Sequence, residues 1–132
     1  MKYLPPEMSE WYFPFNWNVK KLWELEGTIE RRNIEDLEWH LDIPFWSSER
    51  GNGMMFDLRP REVLENPDKH IYHSARIKDA DARYPVCITT YKEREIIIDG
   101  VHRLAKLNSG KHEIIEVKVI NVKSIVDIAI YE

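Results

Sequence analysis

The chain has 132 residues, of which 43% are hydrophobic and 32% charged, a balance that excludes wholesale disorder and suits one domain with a buried core. Its net charge of −4 excludes a general duplex DNA-binding protein, because such proteins gain their affinity from a basic face that neutralises phosphates. A single cysteine excludes an intrachain disulfide framework, and no signal peptide or membrane-length apolar run is visible, so we expect a cytoplasmic protein without membrane attachment.

Residues 1–18 are predicted to form an aromatic N-terminal arm, and residues 19–132 a single domain. Five aromatic residues lie within seven positions of the arm, and its three prolines prevent a continuous helix. Such rings could stack single-stranded nucleic acid, but no Lys or Arg lies between Trp11 and Trp17. We therefore favour an arm that packs across its own domain or into a partner subunit.

The first half of the domain is predicted to hold short helices around one weak strand. A helix capped by Asn18 is expected to turn Leu22 and Trp23 inward, and residues 25–32 follow as the strand. Residues 34–41 carry apolar side chains at helical spacing, and residues 57–65 predict a helix with a proline in its first turn.

Two features between these helices and the second half bear on ligands. Residues 47–53 contain two glycines, and we interpret them as a plain connecting loop rather than a lid that closes over a ligand. His70 and His73 have the three-residue spacing at which a helix can present two ligands to one metal ion. No cysteine or matching carboxylate accompanies these histidines, so no metal site is predicted.

The second half of the domain predicts a hairpin, a helix and a further strand. Residues 86–91 are rich in β-branched side chains, and residues 95–98 pair back with them. A helix over residues 101–108 then crosses to a strand over residues 114–120, for which we expect a right-handed crossover and a local parallel pairing. Residues 124–132 fit either a short helix or an edge strand. Together these elements predict an α+β fold, a small mixed sheet with helices packed on it.

The corner between the apolar strand and the helix carries the candidate site. Unpaired backbone amides in the first turn, such as that of Val101, favour an anion, and Gly100 lets a ligand approach them. Arg103 can bind a phosphate through two parallel hydrogen bonds, and His102 can donate or shuttle a proton near neutral pH. The alternative stays open that Asp99 is only a helix cap and that both basic residues are solvated.

Residues 97–106, Ile-Ile-Asp-Gly-Val-His-Arg-Leu-Ala-Lys, carry a family resemblance. With Tyr84-Pro85-Val86 before them and the strand over residues 114–120 after them, they resemble the ParB/sulfiredoxin superfamily across roughly residues 70–121. In that family, a box of Asp or Gly, any residue, His or Arg, and Arg opens a helix after a buried strand and binds nucleotide phosphates.

The resemblance implies a ParB/sulfiredoxin-like domain with a nucleotide or phosphate site at the corner. The site residues that it implies are Asp99, Gly100, His102 and Arg103. His73 and Arg76 lie near the start of the similar region and are candidates for additional nucleotide contacts, as is Lys106 on the polar face of the helix.

Two departures from the family narrow this expectation. Sulfiredoxins carry a catalytic cysteine between the Gly and the His, where this chain has Val101, and we interpret its only cysteine, Cys87, as a buried inert thiol. Partition proteins carry a paired arginine and a downstream helix-turn-helix domain, whereas this box has a single arginine. Sulfinic acid reduction and centromere-type DNA binding are therefore not expected.

Three hypotheses of function follow. In the first, the chain is a nucleotide-dependent phosphotransferase or a ParB-like nuclease, in which Asp99 orients a divalent ion or acts as general base and His102 protonates the transferring group. Its cofactor would be a nucleoside di- or triphosphate that arrives with Mg²⁺. In the second, the domain binds a nucleotide or a DNA end without catalysis, as a regulatory module. In the third, only the fold is shared, and the arm docks a protein partner or a second copy of the chain.

Overall fold

A computed structural model describes residues 6–47 and 56–130, which form a mixed α+β fold, as predicted. The helices are α1 (Pro6–Ser9), α2 (Val19–Glu24), α3 (Ile34–Leu37) with a 3₁₀ turn after it (Glu38–Asp42), α4 (Pro60–Glu65), α5 (Ile71–Asp79), α6 (Val101–Ser109) and α7 (Val122–Asp127). The strands are β1 (Asn16–Trp17), β2 (Thr28–Asn33), β3 (Val86–Tyr91), β4 (Arg94–Asp99), β5 (Ile114–Val119) and β6 (Ala129–Ile130). Apart from Ser47, the loop predicted at residues 47–53 lies outside the described residues. Every helix in the described ranges is too short or too polar to span a lipid bilayer.

The main sheet has four strands in the order β2-β5-β3-β4. A two-residue turn, in which Lys92 and Glu93 have φ values of 51° and 64°, joins β3 and β4 as an antiparallel hairpin. β5 runs parallel to β3 and antiparallel to β2. The expected parallel pairing of β4 and β5, the strands on either side of α6, is wrong. β4 runs antiparallel to β3 in the hairpin, and α6 leads the chain to the other edge of β3, so β3 lies between β4 and β5.

Hydrophobic clusters cover both faces of this sheet, as the continuous apolar strands predicted. Ile97 of β4 faces the cluster formed with α6, whereas Ile96 and Ile98 face the cluster formed with the N-terminal arm. In α6, Leu104 and Ala105 are the buried residues, which agrees with the predicted apolar side of that helix.

The aromatic arm packs across its own domain. Met8, Tyr12 and Phe13 are buried, and β1 pairs antiparallel with β6. The C-terminal segment therefore contains both alternatives that the sequence left open, the helix α7 and then the strand β6.

The prediction that Trp23 points inward is wrong. Asn18 caps α2 by accepting a hydrogen bond from the Lys21 amide, and this short helix turns Leu22 into the core. Trp23 is the next residue, about 100° further round the helix, and its side chain is 58% exposed.

The outer edge of β4 is covered by side chains instead of another strand. His40 Nε2 accepts a hydrogen bond from the amide of Ile97 at 3.0 Å, and the Tyr12 hydroxyl donates to the carbonyl of the same residue at 2.6 Å. Trp17 Nε1 donates to the carbonyl of Ile98 at 3.2 Å. The arm and the 3₁₀ turn thus satisfy backbone groups that would otherwise be open to pairing with another chain.

Candidate functional site

The corner that precedes α6 is built around Gly100. This residue has φ of 115°, and a Cβ atom placed on it would lie 3.0 Å from Cγ2 of Val86 and 3.3 Å from Cζ of Arg103. Gly100, rather than Asp99, is the N-cap residue of α6, and no side chain of the described residues caps this helix end. The alternative in which Asp99 serves as the helix cap is therefore wrong.

Asp99 and Arg103 form a partly buried ion pair beside this corner. Arg103 Nη2 donates to Asp99 Oδ2 at 2.7 Å, and Nε1 of the Trp23 indole donates to the same oxygen at 2.9 Å. Arg103 Nη1 also donates to the carbonyl of Pro85 at 2.6 Å. The guanidinium is thus fixed against the start of β3, and its charge is balanced by one carboxylate.

A cavity of about 510 Å³ opens next to this ion pair. Its walls carry two exposed rings, Trp23 and Tyr84, and two cations, Arg103 and Lys118. We call this cavity the Arg103 pocket; its lining residues are Trp23, Tyr84, Pro85, Cys87, Asp99, Arg103 and Lys118.

The cysteine in the pocket wall is not activated. Burial raises the pKa of the Cys87 thiol, and the nearby carboxylate of Asp99 acts in the same direction. The thiol therefore stays protonated at neutral pH, in agreement with its interpretation as an inert side chain.

His102 lies in a different group of side chains. Its ring stacks on Trp46 with centroids 4.2 Å apart, and Trp46 also stacks on His73 at 4.7 Å. His73 Nδ1 lies 3.4 Å from His102 Nε2. Burial, followed by the positive charge of Arg76, lowers the pKa of His102 to about 3, and burial also lowers the pKa of His73. Both rings are therefore neutral at physiological pH.

The structure thus divides the predicted site residues among several places. Asp99 and Arg103 line the pocket, whereas His102 and His73 lie outside that lining. Lys106 donates to the carbonyls of Lys78 and Ala80 at 2.7 Å each, at the end of α5. Of the others, Gly100 forms the corner, Val101 packs against the core, and Arg76 lies over the ring of Tyr72.

Five of the seven lining residues were not among the predicted site residues, namely Trp23, Tyr84, Pro85, Cys87 and Lys118. The alternation of apolar and charged side chains along β5 predicts that Lys118 lies on the polar face of that strand. Its position beside the Gly100 corner depends on the order of the strands in the sheet, which the alternation does not give. The sequence predicts that Trp23 points inward from the helix capped by Asn18, whereas its ring is exposed in the pocket wall. Within the described residues, no group of three or more His, Cys, Asp and Glu side chains is arranged to hold a metal ion.

The chain matches no protein-family model, no curated protein and no solved structure. The likeness to the ParB/sulfiredoxin superfamily therefore stays a prediction from residues 97–106 and their flanking strands.

Proposed function

We propose that this chain binds a nucleotide in the Arg103 pocket and does not itself catalyse a reaction on it. The observation that carries the proposal is that two cations and two exposed aromatic rings line one cavity of about 510 Å³. Cavities of about 300–1,000 Å³ with a few polar groups are typical of small-molecule sites. A ParB/sulfiredoxin-like fold for the domain is part of the same proposal.

The chemistry of the walls fits the two parts of a nucleotide. The indole of Trp23 and the phenol ring of Tyr84 offer flat apolar surfaces on which a base can stack, an interaction of about 1–3 kcal/mol per base. Arg103 and Lys118 offer the positive charge that a phosphate requires, and hydrogen bonds to charged groups are the stronger ones.

The carboxylate of Asp99 restricts how a phosphate can bind to Arg103. Its carboxylate already engages Arg103, so a phosphate must share the remaining N–H donors of the guanidinium or displace the carboxylate. A nucleotide that arrives with Mg²⁺ avoids this conflict, because Mg²⁺ accepts one protein carboxylate together with phosphate oxygens. The pocket therefore favours a magnesium-bound nucleotide over the free anion.

Asp99 and His102, the two predicted catalytic residues, lie in different places, which favours nucleotide binding without catalysis. A phosphoryl transfer site needs its acid or base within hydrogen-bonding reach of the reacting group. His102 packs under Trp46 and is not a pocket residue, so the pocket holds Asp99 without a histidine partner. The phosphotransferase or nuclease hypothesis stays a prediction, which product analysis after incubation with nucleotide or DNA would test.

Calorimetric titration of nucleoside mono-, di- and triphosphates, with and without Mg²⁺, tests the proposal. Because stacking and charged hydrogen bonds each contribute more than about 1 kcal/mol, Trp23→Leu and Lys118→Ala should each weaken binding about tenfold. Lys123→Ala is the matched control, since that lysine is exposed and lies outside the pocket lining. Unchanged affinity in both pocket variants, or no binding of any nucleotide, would contradict the proposal.

Two further variants test the ion pair. Asp99→Asn removes the negative charge beside Arg103, so it should strengthen binding of magnesium-free nucleotide and abolish the gain from Mg²⁺. Arg103→Lys keeps one positive charge but loses the fork of donors, and it should weaken binding while it retains the fold. If Asp99→Asn weakened binding equally with and without Mg²⁺, the carboxylate would instead contact the ligand as an acceptor.

A further inference from the structure

Outside the pocket, two imidazole nitrogens from different helices meet within one small cluster. His73 lies on α5 and His102 lies on α6, 29 residues further along the chain. Their facing atoms, Nδ1 of His73 and Nε2 of His102, are 3.4 Å apart. The ring planes differ by 17° and their centroids are 5.7 Å apart, and both rings stack on the indole of Trp46.

We propose that His73 and His102 together bind one transition-metal ion of the Zn²⁺ type. A zinc ion lies about 2.0–2.1 Å from each histidine nitrogen, so two ligands at the tetrahedral angle have nitrogens about 3.4 Å apart. The observed separation of 3.4 Å agrees with this value, and a small reorientation of the two rings, whose centroids are 5.7 Å apart, would turn both facing lone pairs toward one ion. An ion between the rings would take the place of the hydrogen bond that now joins them.

The surroundings of His73 fix it in the orientation of a ligand. Its Nε2 atom lies 2.9 Å from the carbonyl of Ser47, which can only accept, so Nε2 carries the proton and Nδ1 has its lone pair directed at His102. A backbone carbonyl on the second ring nitrogen is the usual support of a metal-binding histidine. Stacking on Trp46 holds both rings in position from one side.

The two imidazole ligands determine which metal ions can bind at this site. Neutral imidazole suits Zn²⁺, Cu²⁺ and Ni²⁺, whereas Mg²⁺ and Ca²⁺ require oxygen ligands. No third His, Cys, Asp or Glu of the described residues completes this pair, so water or an external ligand would fill the other coordination positions. His102 is partly exposed, so solvent reaches part of this pair.

Titration of the metal-free 132-residue chain with Zn²⁺ and Co²⁺ tests this site. Calorimetry should give one ion per chain, and Co²⁺ should develop visible absorption bands. His73→Gln and His102→Gln should each weaken binding at least tenfold, since even loss of a supporting contact weakens metal sites by about 10–100-fold. His70→Gln and His112→Gln are the matched controls and should bind as the unchanged protein does.

The variants also separate a ligand role from a folding role. His73 is buried, so circular dichroism must show that His73→Gln is folded, while the more exposed His102→Gln carries the test if it is not. Absence of binding, or loss of binding in His70→Gln or His112→Gln instead, would overturn the proposal. Because no nucleotide is present in this experiment, its outcome does not depend on the Arg103 pocket.

Discussion

His40 and His102 are both histidines whose pKa burial lowers to about 3, but their partners are of different kinds. His40 Nδ1 donates to the carbonyl of Leu37 at 2.7 Å, and its Nε2 accepts from the amide of Ile97 at 3.0 Å. Both nitrogens of His40 are thus occupied by backbone groups. His102 instead stacks on Trp46, and its Nε2 faces Nδ1 of another side chain, that of His73. A low pKa therefore does not identify a functional histidine, whereas the partners of its nitrogens do.

The largest difference in stability between a change at His40 and a change at His102 is expected when the buried ring of His40 is removed. His40→Leu leaves the amide of Ile97 and the carbonyl of Leu37 without partners in a fully buried place. Since each unsatisfied buried group costs about 1–3 kcal/mol, this variant should lose about 2–4 kcal/mol of unfolding free energy in urea. His102→Gln should lose less than about 1 kcal/mol. Equal losses in both variants would remove the distinction between a structural and a ligand histidine.

A second test measures how the stability contributed by His40 depends on pH. The folded pKa of His40, about 3, lies below its ordinary value of 6.5, so the unfolded chain takes up the proton first as the pH falls. The stabilisation from neutral His40 is therefore complete above pH 6.5 and is lost progressively as the pH falls toward 3. At about pH 4.5 the loss should be about 2–3 kcal/mol.

Urea unfolding at a series of pH values measures this loss. Between neutral pH and about pH 4.5, stability should fall less steeply in His40→Leu than in the unchanged protein, because the titrating group is absent. His102→Gln is the companion variant. Because burial also lowers the pKa of His102 to about 3, His102→Gln should flatten the profile by a comparable amount. An unchanged profile in His40→Leu would contradict the assignment of this loss to His40.

A smaller effect is expected from the hydroxyl on the other side of the Ile97 backbone. Tyr12→Phe removes the hydrogen bond to the Ile97 carbonyl while it keeps the buried ring, and it should destabilise the protein by about 1–2 kcal/mol. Tyr84→Phe, at a 65% exposed ring, is the control and should change stability by less than about 0.5 kcal/mol. Thermal unfolding monitored by circular dichroism compares the two. No difference between them would mean that the arm does not stabilise this edge.

The smallest effect should come from the turn that joins β3 and β4. Glu93 has φ of 64°, a conformation that favours glycine, so Glu93→Gly should stabilise the protein by about 0.5–1 kcal/mol. The increment should be the same in the His40→Leu and His102→Gln backgrounds, because the turn contacts neither ring and distant effects add. Double-mutant cycles in urea measure this additivity, and a coupling above about 0.5 kcal/mol would contradict it.

Much of the local structure could be predicted from the sequence, because it depends on neighbouring residues. The apolar run of β4, the glycine corner and the apolar side of α6 all follow from side-chain spacing within a few positions. The order of the strands could not be predicted in the same way. The parallel partner of β5 is set by how the hairpin and α6 pack together, which no local pattern records.

The candidate site could be predicted only in part for the same reason. Asp99 and Arg103 are four residues apart on adjoining elements, so their proximity depends only on the short corner at Gly100 that joins β4 to α6. Lys118 and Trp23 are 95 residues apart in sequence, and the carbonyl of Trp23 accepts a hydrogen bond from the lysine only because the sheet brings β5 beside α2. His73 and His102 likewise meet through the packing of α5 against α6.

The pairing of β1 with β6 has a consequence for the order in which the protein can form during synthesis. Asn16 and Trp17 leave the ribosome more than a hundred residues before their partners, Ala129 and Ile130. β1 of the aromatic arm therefore has no strand to pair with until nearly all of the described chain has been translated. A nascent chain arrested before β6 should expose these rings to chaperones and proteases, and a chain that has released β6 should protect them.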